Sequence, residues 1–81
     1  MLFTAQVKVM PLKDLLDPQG KAVLGGLQLL GFNQVHDVRI GKFIELHIEA
    51  NNKEAAFQLA SEAAKKFLAK QVMEVFEVNI F

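Results

Sequence analysis

Residues 36–49 read His36-Asp37-Val38-Arg39-Ile40-Gly41-Lys42-Phe43-Ile44-Glu45-Leu46-His47-Ile48-Glu49, and this stretch decides the fold. Val38, Ile40, Ile44, Leu46 and Ile48 are apolar at even positions, while Asp37, Arg39, Glu45, His47 and Glu49 are charged or polar at odd ones. A period of two marks strands covered on one face. Because the parity survives Gly41-Lys42, the stretch predicts two antiparallel strands joined by a hairpin there. A two-residue loop pairs Ile40 with Phe43, whereas a three-residue loop pairs Ile40 with Ile44 and Val38 with Leu46. The longer loop, or a bulge, keeps apolar residues opposite each other and sets Phe43 at the hairpin tip beside Lys42.

Working outward, Phe3, Ala5, Val7 and Val9 alternate with Thr4, Gln6 and Lys8, which predicts a first strand. Residues 10–16 contain Pro11 and lack periodicity, so they read as a connection, one unusually apolar for a loop. Asp17-Pro18-Gln19-Gly20 is a helix start: the carboxylate accepts from an end N–H, and Pro at the first helical position gives up only an orphan donor. Gly20 is left over by that explanation and suggests contact with another backbone. Ala22, Val23, Gly26, Leu27 and Leu30 form a stripe expected to face the sheet, and Gly31 supplies a left-handed stop. Gly25 and Gly26 inside a helix hint at close packing.

After the hairpin, Asn51 with Glu54 resembles a capping box, and an alanine-rich helix follows. Its expected inner face is Ala56, Ala60, Ala63 and Phe67, flanked by Leu59 and Ala64. Residues 72–81 form the last strand, with Val72, Phe76, Val78 and Ile80 on one face and Met73, Val75 and Phe81 on the other. The order is strand, helix, strand, strand, helix, strand. It predicts an α+β, ferredoxin-like βαββαβ fold over residues 1–81 as a single domain: a four-stranded antiparallel sheet with two helices on one face. The other face is then bare and partly oily, and Met73, Val75 and Phe81 are its expected self-association residues.

Composition narrows function by exclusion. The chain has 81 residues, nine Lys plus Arg against nine Asp plus Glu, and no cysteine. Zero formal charge removes the footprint of a general polyanion binder. Without cysteine there is no disulfide, thiolate site or thiol nucleophile. The uncharged stretch 22–34 is interrupted by glycines and is too short to span a bilayer. The N-terminus lacks a basic start followed by an apolar run, so it reads as a strand, not a signal peptide, and the expected location is cytoplasmic.

Chemistry is sparse. Ser61 is the only serine and falls mid-helix, with no base beside it. Strand parity sends His36 to the helix-covered face and His47 to the bare one, so they do not converge on a metal. The middle strands carry acids where an RNA-binding sheet carries stacking aromatics. No phosphate-cradling glycine loop is present. Arg39, Gly41, Lys42 and Phe43 form a compact cluster at the hairpin tip, suited to docking a partner's acidic loop or a phosphate.

Asp17-Pro18-Gln19-Gly20, then Leu30-Gly31-Phe32 with Val35, then Val38 through Leu46, together resemble the PurS family, small subunits of phosphoribosylformylglycinamidine (FGAM) synthase. One departure is that Leu68-Ala69-Lys70-Gln71 stands where the family commonly has Leu-Ala-Asn-Pro before the last strand. The resemblance implies a subunit of an ATP- and glutamine-dependent ligase with no catalytic residues, cofactor or metal of its own. ATP and magnesium are then expected on the synthetase subunit (PurL), and ammonia is expected from the glutaminase subunit (PurQ). It further implies a homo-dimer or tetramer that bridges those two partners in purine biosynthesis. Asp17, Gly20, Arg39, Gly41, Lys42 and Phe43 are the expected partner-binding residues. A small-molecule-binding regulatory module of the same fold is the alternative, and a stand-alone enzyme is disfavoured by the missing nucleophile.

Overall fold

Alternating side chains build a three-stranded antiparallel sheet in the computed structural model, which describes residues 1–70 and 72–81. The elements are β1 (Leu2–Pro11), α1 (Pro18–Leu29), β2 (Lys42–Glu49), α2 (Lys53–Ala63) and β3 (Glu74–Ile80). The strand order is β2-β1-β3. Ala5 lies opposite Leu46 and Ile80, and Val7 opposite Ile44 and Val78. Apolar residues of all three strands therefore share one face. Thr4, Gln6, Lys8, Glu45 and His47 occupy the other, as their parity predicts.

Helix α2 covers the apolar face. Ala56 and Ala60, with Ala64 just beyond the helix end, are fully buried, and their small side chains let the helix approach the strands closely. Val7 and Val9 are the largest fully buried side chains. After α2, residues Ala64–Leu68 form a π-helical turn, closed by a 2.9 Å bond from the Ala69 N–H to the Ala64 carbonyl. The extra residue in that turn shifts the register. Ala69 becomes the next buried position, and Phe67 is turned out, 87% exposed, instead of joining the inner face as expected. Asn52, not Asn51, caps α2, accepting from the Ala55 N–H at 2.8 Å.

The expected four-stranded sheet is corrected to three strands. Residues 35–41 join no ladder, and the Gly41-Lys42 hairpin does not form. The reason is a competing acceptor: the Ile40 N–H donates to the Asp17 carboxylate at 2.8 Å, so a ladder donor is used at the base of α1. Gly41 is pressed against the end of β1, where a Cβ would collide with the Val9 carbonyl and the Met10 sulfur. The chain thus crosses the end of β1 and enters β2 directly. His36 consequently lies outside any strand.

Helix α1 begins and ends as its sequence dictates. Pro18 occupies the first turn after the Asp17 cap. Gly31 has φ +96°, and the Phe32 and Gly31 N–H groups bond the Leu27 and Gln28 carbonyls at 2.9 and 3.1 Å, a Schellman ending. Its apolar stripe, however, does not lie on the sheet. Gly20 is its only buried residue, and Val23 and Leu30 are 43% and 76% exposed. The radius of gyration is 16.1 Å, against about 12 Å for a compact chain of this length. The long dimension of 50 Å is close to β1, about 33 Å, laid end to end with α1, about 18 Å. α1 is an arm.

In β3, Phe76, Val78 and Ile80 face α2 and Val75 faces away, as expected. Val72 and Met73 precede the strand in a tight turn, in which the Met73 and Glu74 N–H groups donate to the Lys70 carbonyl at 2.9 and 2.7 Å. Of the departure at Lys70-Gln71, Gln71 lies outside the described residues. Among the described residues no helix is long and apolar enough to cross a membrane.

Because Ala60 sits with no room between α2 and β1, Ala60→Leu should lower stability by about 1–3 kcal/mol, read as a lower urea midpoint. An unchanged midpoint would contradict this packing.

Candidate functional site

The base of the α1 arm is a polar knot built on Asp17. One carboxylate oxygen accepts from the Gly20 N–H at 3.0 Å and the other from the Ile40 N–H at 2.8 Å. The Gly20 N–H, the Ile40 N–H and, more weakly, the Arg39 guanidinium hold the Asp17 carboxyl below the usual carboxylate range, against a partial desolvation penalty. Gly20 is buried where a Cβ would collide with the Val38 carbonyl, which is the backbone contact its sequence position suggested. The Arg39 guanidinium donates to the Pro11 carbonyl at the end of β1. Helix start, return segment and sheet are thereby tied together.

The expected hairpin-tip cluster is distributed differently. Asp17, Gly20 and Arg39 meet in the knot, and Gly41 follows against β1. The Lys42 ammonium donates to the Leu68 carbonyl at 3.2 Å and lies 3.8 Å from the Glu74 carboxylate, bridging β2 to the π-helical turn and β3. Phe43 separates from them: it stands opposite Lys8 on the open face, 62% exposed. Met73 and Val75 are exposed at one end of β3 and Phe81 beyond the other. About 20 Å of strand separates Val75 from Phe81, so the three do not form one patch.

A 460 Å³ cleft opens beside the knot between Pro11, Leu15 and Leu16 on one side and Val72 and Met73 on the other, with Lys42, Lys70 and Glu74 at its rim. The signal for it was the apolar character of the 10–16 connection. The second bond of Asp17, to Ile40, had no sequence signal, because nothing in the spacing of those residues relates them. His47 pairs with Glu45 at 3.2 Å on the open face, away from His36. Among the described residues no group of three or more His, Cys, Asp or Glu is arranged to hold a metal ion. No buried side-chain polar atom among them lacks a partner. Arg39 and Lys42 are engaged with backbone carbonyls. The neighbouring cleft is largely apolar, whereas the smaller pocket at the knot itself, about 150 Å³, is edged by Lys13, Lys21 and Asp37 beside Asp17 and Arg39. Neither places a nucleophile with a base beside it among the described residues.

The lowered Asp17 pKa contributes stability above the unfolded-state value and loses it as pH falls through the folded one. Thermal melts should therefore show the base of the arm loosening below about pH 4. Asp17→Asn should be less stable at pH 7 and should flatten that acid limb. An acid limb identical to the wild type's would contradict the role given to this carboxylate.

The family described as PurS, phosphoribosylformylglycinamidine (FGAM) synthase, matches residues 4–81. The Bacillus subtilis phosphoribosylformylglycinamidine synthase subunit PurS is 37% identical over 79 residues, which are 98% of this chain and 93% of that protein. The Synechocystis subunit of the same name is 47% identical over 68 residues, 82% of this chain and 68% of its own. Among solved structures, a chain of the PurLQS structure from Thermotoga maritima superposes with a TM-score of 0.91 at 31% identity, covering 100% of this chain and 99% of that one. With the family matched over residues 4–81 and the three-dimensional course shared along its length, the chain belongs to the PurS family of phosphoribosylformylglycinamidine synthase subunits.

Proposed function

We propose that this chain is the non-catalytic assembly subunit of a cytoplasmic phosphoribosylformylglycinamidine synthase. In that complex a PurQ-type glutaminase releases ammonia from glutamine. A PurL-type synthetase, carrying ATP and magnesium, uses the ammonia to convert formylglycinamide ribonucleotide to the amidine. The chain holds the two together as a homo-dimer or a pair of dimers. The observation that carries the reading is the end-to-end likeness to a chain of the PurLQS assembly from Thermotoga maritima.

Physically, a bridging subunit acts through coupling free energy: contacts made only in the complex stabilise it, and ammonia passes between sites without escaping to water. On this reading Arg39, Gly41, Lys42 and Phe43 meet a partner, and Asp17 with Gly20 holds the segment that carries Arg39. Met73, Val75 and Phe81 serve self-association. The exposure of Phe43 supports the first assignment and that of Met73, Val75 and Phe81 the second.

The test is reconstitution of glutamine-dependent amidine formation with purified glutaminase and synthetase, titrating this chain. Phe43 makes no apolar core contact, so Phe43→Ala should keep the wild-type melting point and raise the concentration needed for half-maximal activity about tenfold. Arg39→Ala with Lys42→Ala should do the same, judged against its own melting point because both side chains also bond backbone carbonyls. Wild-type titration curves for both variants would overturn the assignment.

A further inference from the structure

The apolar face of the sheet is only partly covered. Phe57 and Lys53 of α2 lie toward β3, where they border a groove with Val78 and Ile80. By helical spacing, Leu59 and Ala63 lie on the opposite flank, toward β2. There Ile44, Leu46 and Ile48 remain half-buried and Leu59 is 50% exposed. In a two-layer fold this strip is the seat of the helix that follows β1. That helix stands off the sheet, because the Asp17 bonds to Gly20 and Ile40 fix its start at the end of β1.

The arm has the matching character. Lys21 is its only charged residue. Val23, Gly26, Leu27 and Leu30 share one face, and among the described residues nothing outside the helix itself lies within 4 Å of a Cβ placed on Gly26. Glycine is the poorest helix former after proline, so its place in the middle of that face is unexplained by the helix itself. It is explained by a close seat, of the kind the alanines of α2 make on the same sheet. At about 18 Å the helix fits within the roughly 27 Å of β2.

We propose that α1 is seated on a second copy of this chain, in the strip between α2 and the outer edge of β2, the two copies exchanging first helices reciprocally. This rests on the reading of the chain as a self-associating subunit and adds which segment crosses to which seat. A two-fold axis makes the exchange isologous, so each copy gives one helix and receives one. The occupant is set by the chain itself, which carries both an uncovered strip and an unseated helix of the corresponding length and polarity.

Sedimentation of two surface variants and their mixture tests the exchange. Val23→Lys with Leu30→Lys spoils the arm, and Leu59→Lys spoils the seat; all three positions are exposed, so both proteins should keep wild-type circular dichroism. Each alone should sediment at half the wild-type mass. Their equimolar mixture should regain the larger species, because one intact arm then meets one intact seat. Gly26→Ala should weaken association about tenfold despite its better helix propensity, whereas Gly25→Ala, off the stripe, should not. Wild-type mass for either variant alone, or a mixture that stays at half mass, overturns the exchange while leaving self-association standing. A wild-type protein that is monomeric at tens of micromolar overturns both.

Discussion

A single carboxylate sets the shape of this molecule. Asp17 accepts from the Gly20 N–H at its own helix start and from the Ile40 N–H 23 residues later. The first bond is an ordinary cap. The second is a tertiary tie that holds residues 35–41 out of the sheet at the base of α1, whose apolar stripe stays exposed. Gly20 makes the tie possible by leaving room for the Val38 carbonyl, and Arg39 fastens the same segment to Pro11.

The consequence is an incomplete core. Alanines from α2 supply much of the buried surface, and the bulkiest fully buried side chains are Val7 and Val9. A domain of this size with a full core is already marginal. Here the stripe of α1 and the inner face of β2 are left partly in water, so each copy lacks contacts that another polypeptide can provide. An assembly subunit whose last contacts form only in the complex has a physical reason to be built this way, since an unfilled core favours association.

Much of the fold was legible in the sequence. Alternation in β1, in Ile44-Leu46-Ile48 and in β3 set the faces of the sheet, and Asp17-Pro18 and Gly31 set the limits of α1. The hairpin failed because Val38 and Ile40 keep strand parity whether or not their N–H groups join a ladder, and the competing acceptor, Asp17, is remote in sequence. Phe67 was misplaced because a π-helical turn inserts one residue without a local signature. The α1 stripe, expected on the sheet, is exposed instead, because periodicity marks an apolar face without saying what covers it. In the site, Gly20 was flagged by being unnecessary to the helix cap, whereas the cleft beside the knot emerged only once residues 11–16 and 72–73 were brought together.

Folding and association are then one process, and a melting series across protein concentration addresses that most directly. Anything that binds the native state alone raises the unfolding midpoint by mass action. The midpoint should climb steadily as the chain is concentrated from sub-micromolar to hundreds of micromolar. A midpoint that stays constant over that range, with the mass of one chain throughout, would contradict the claim that this fold is completed by another polypeptide.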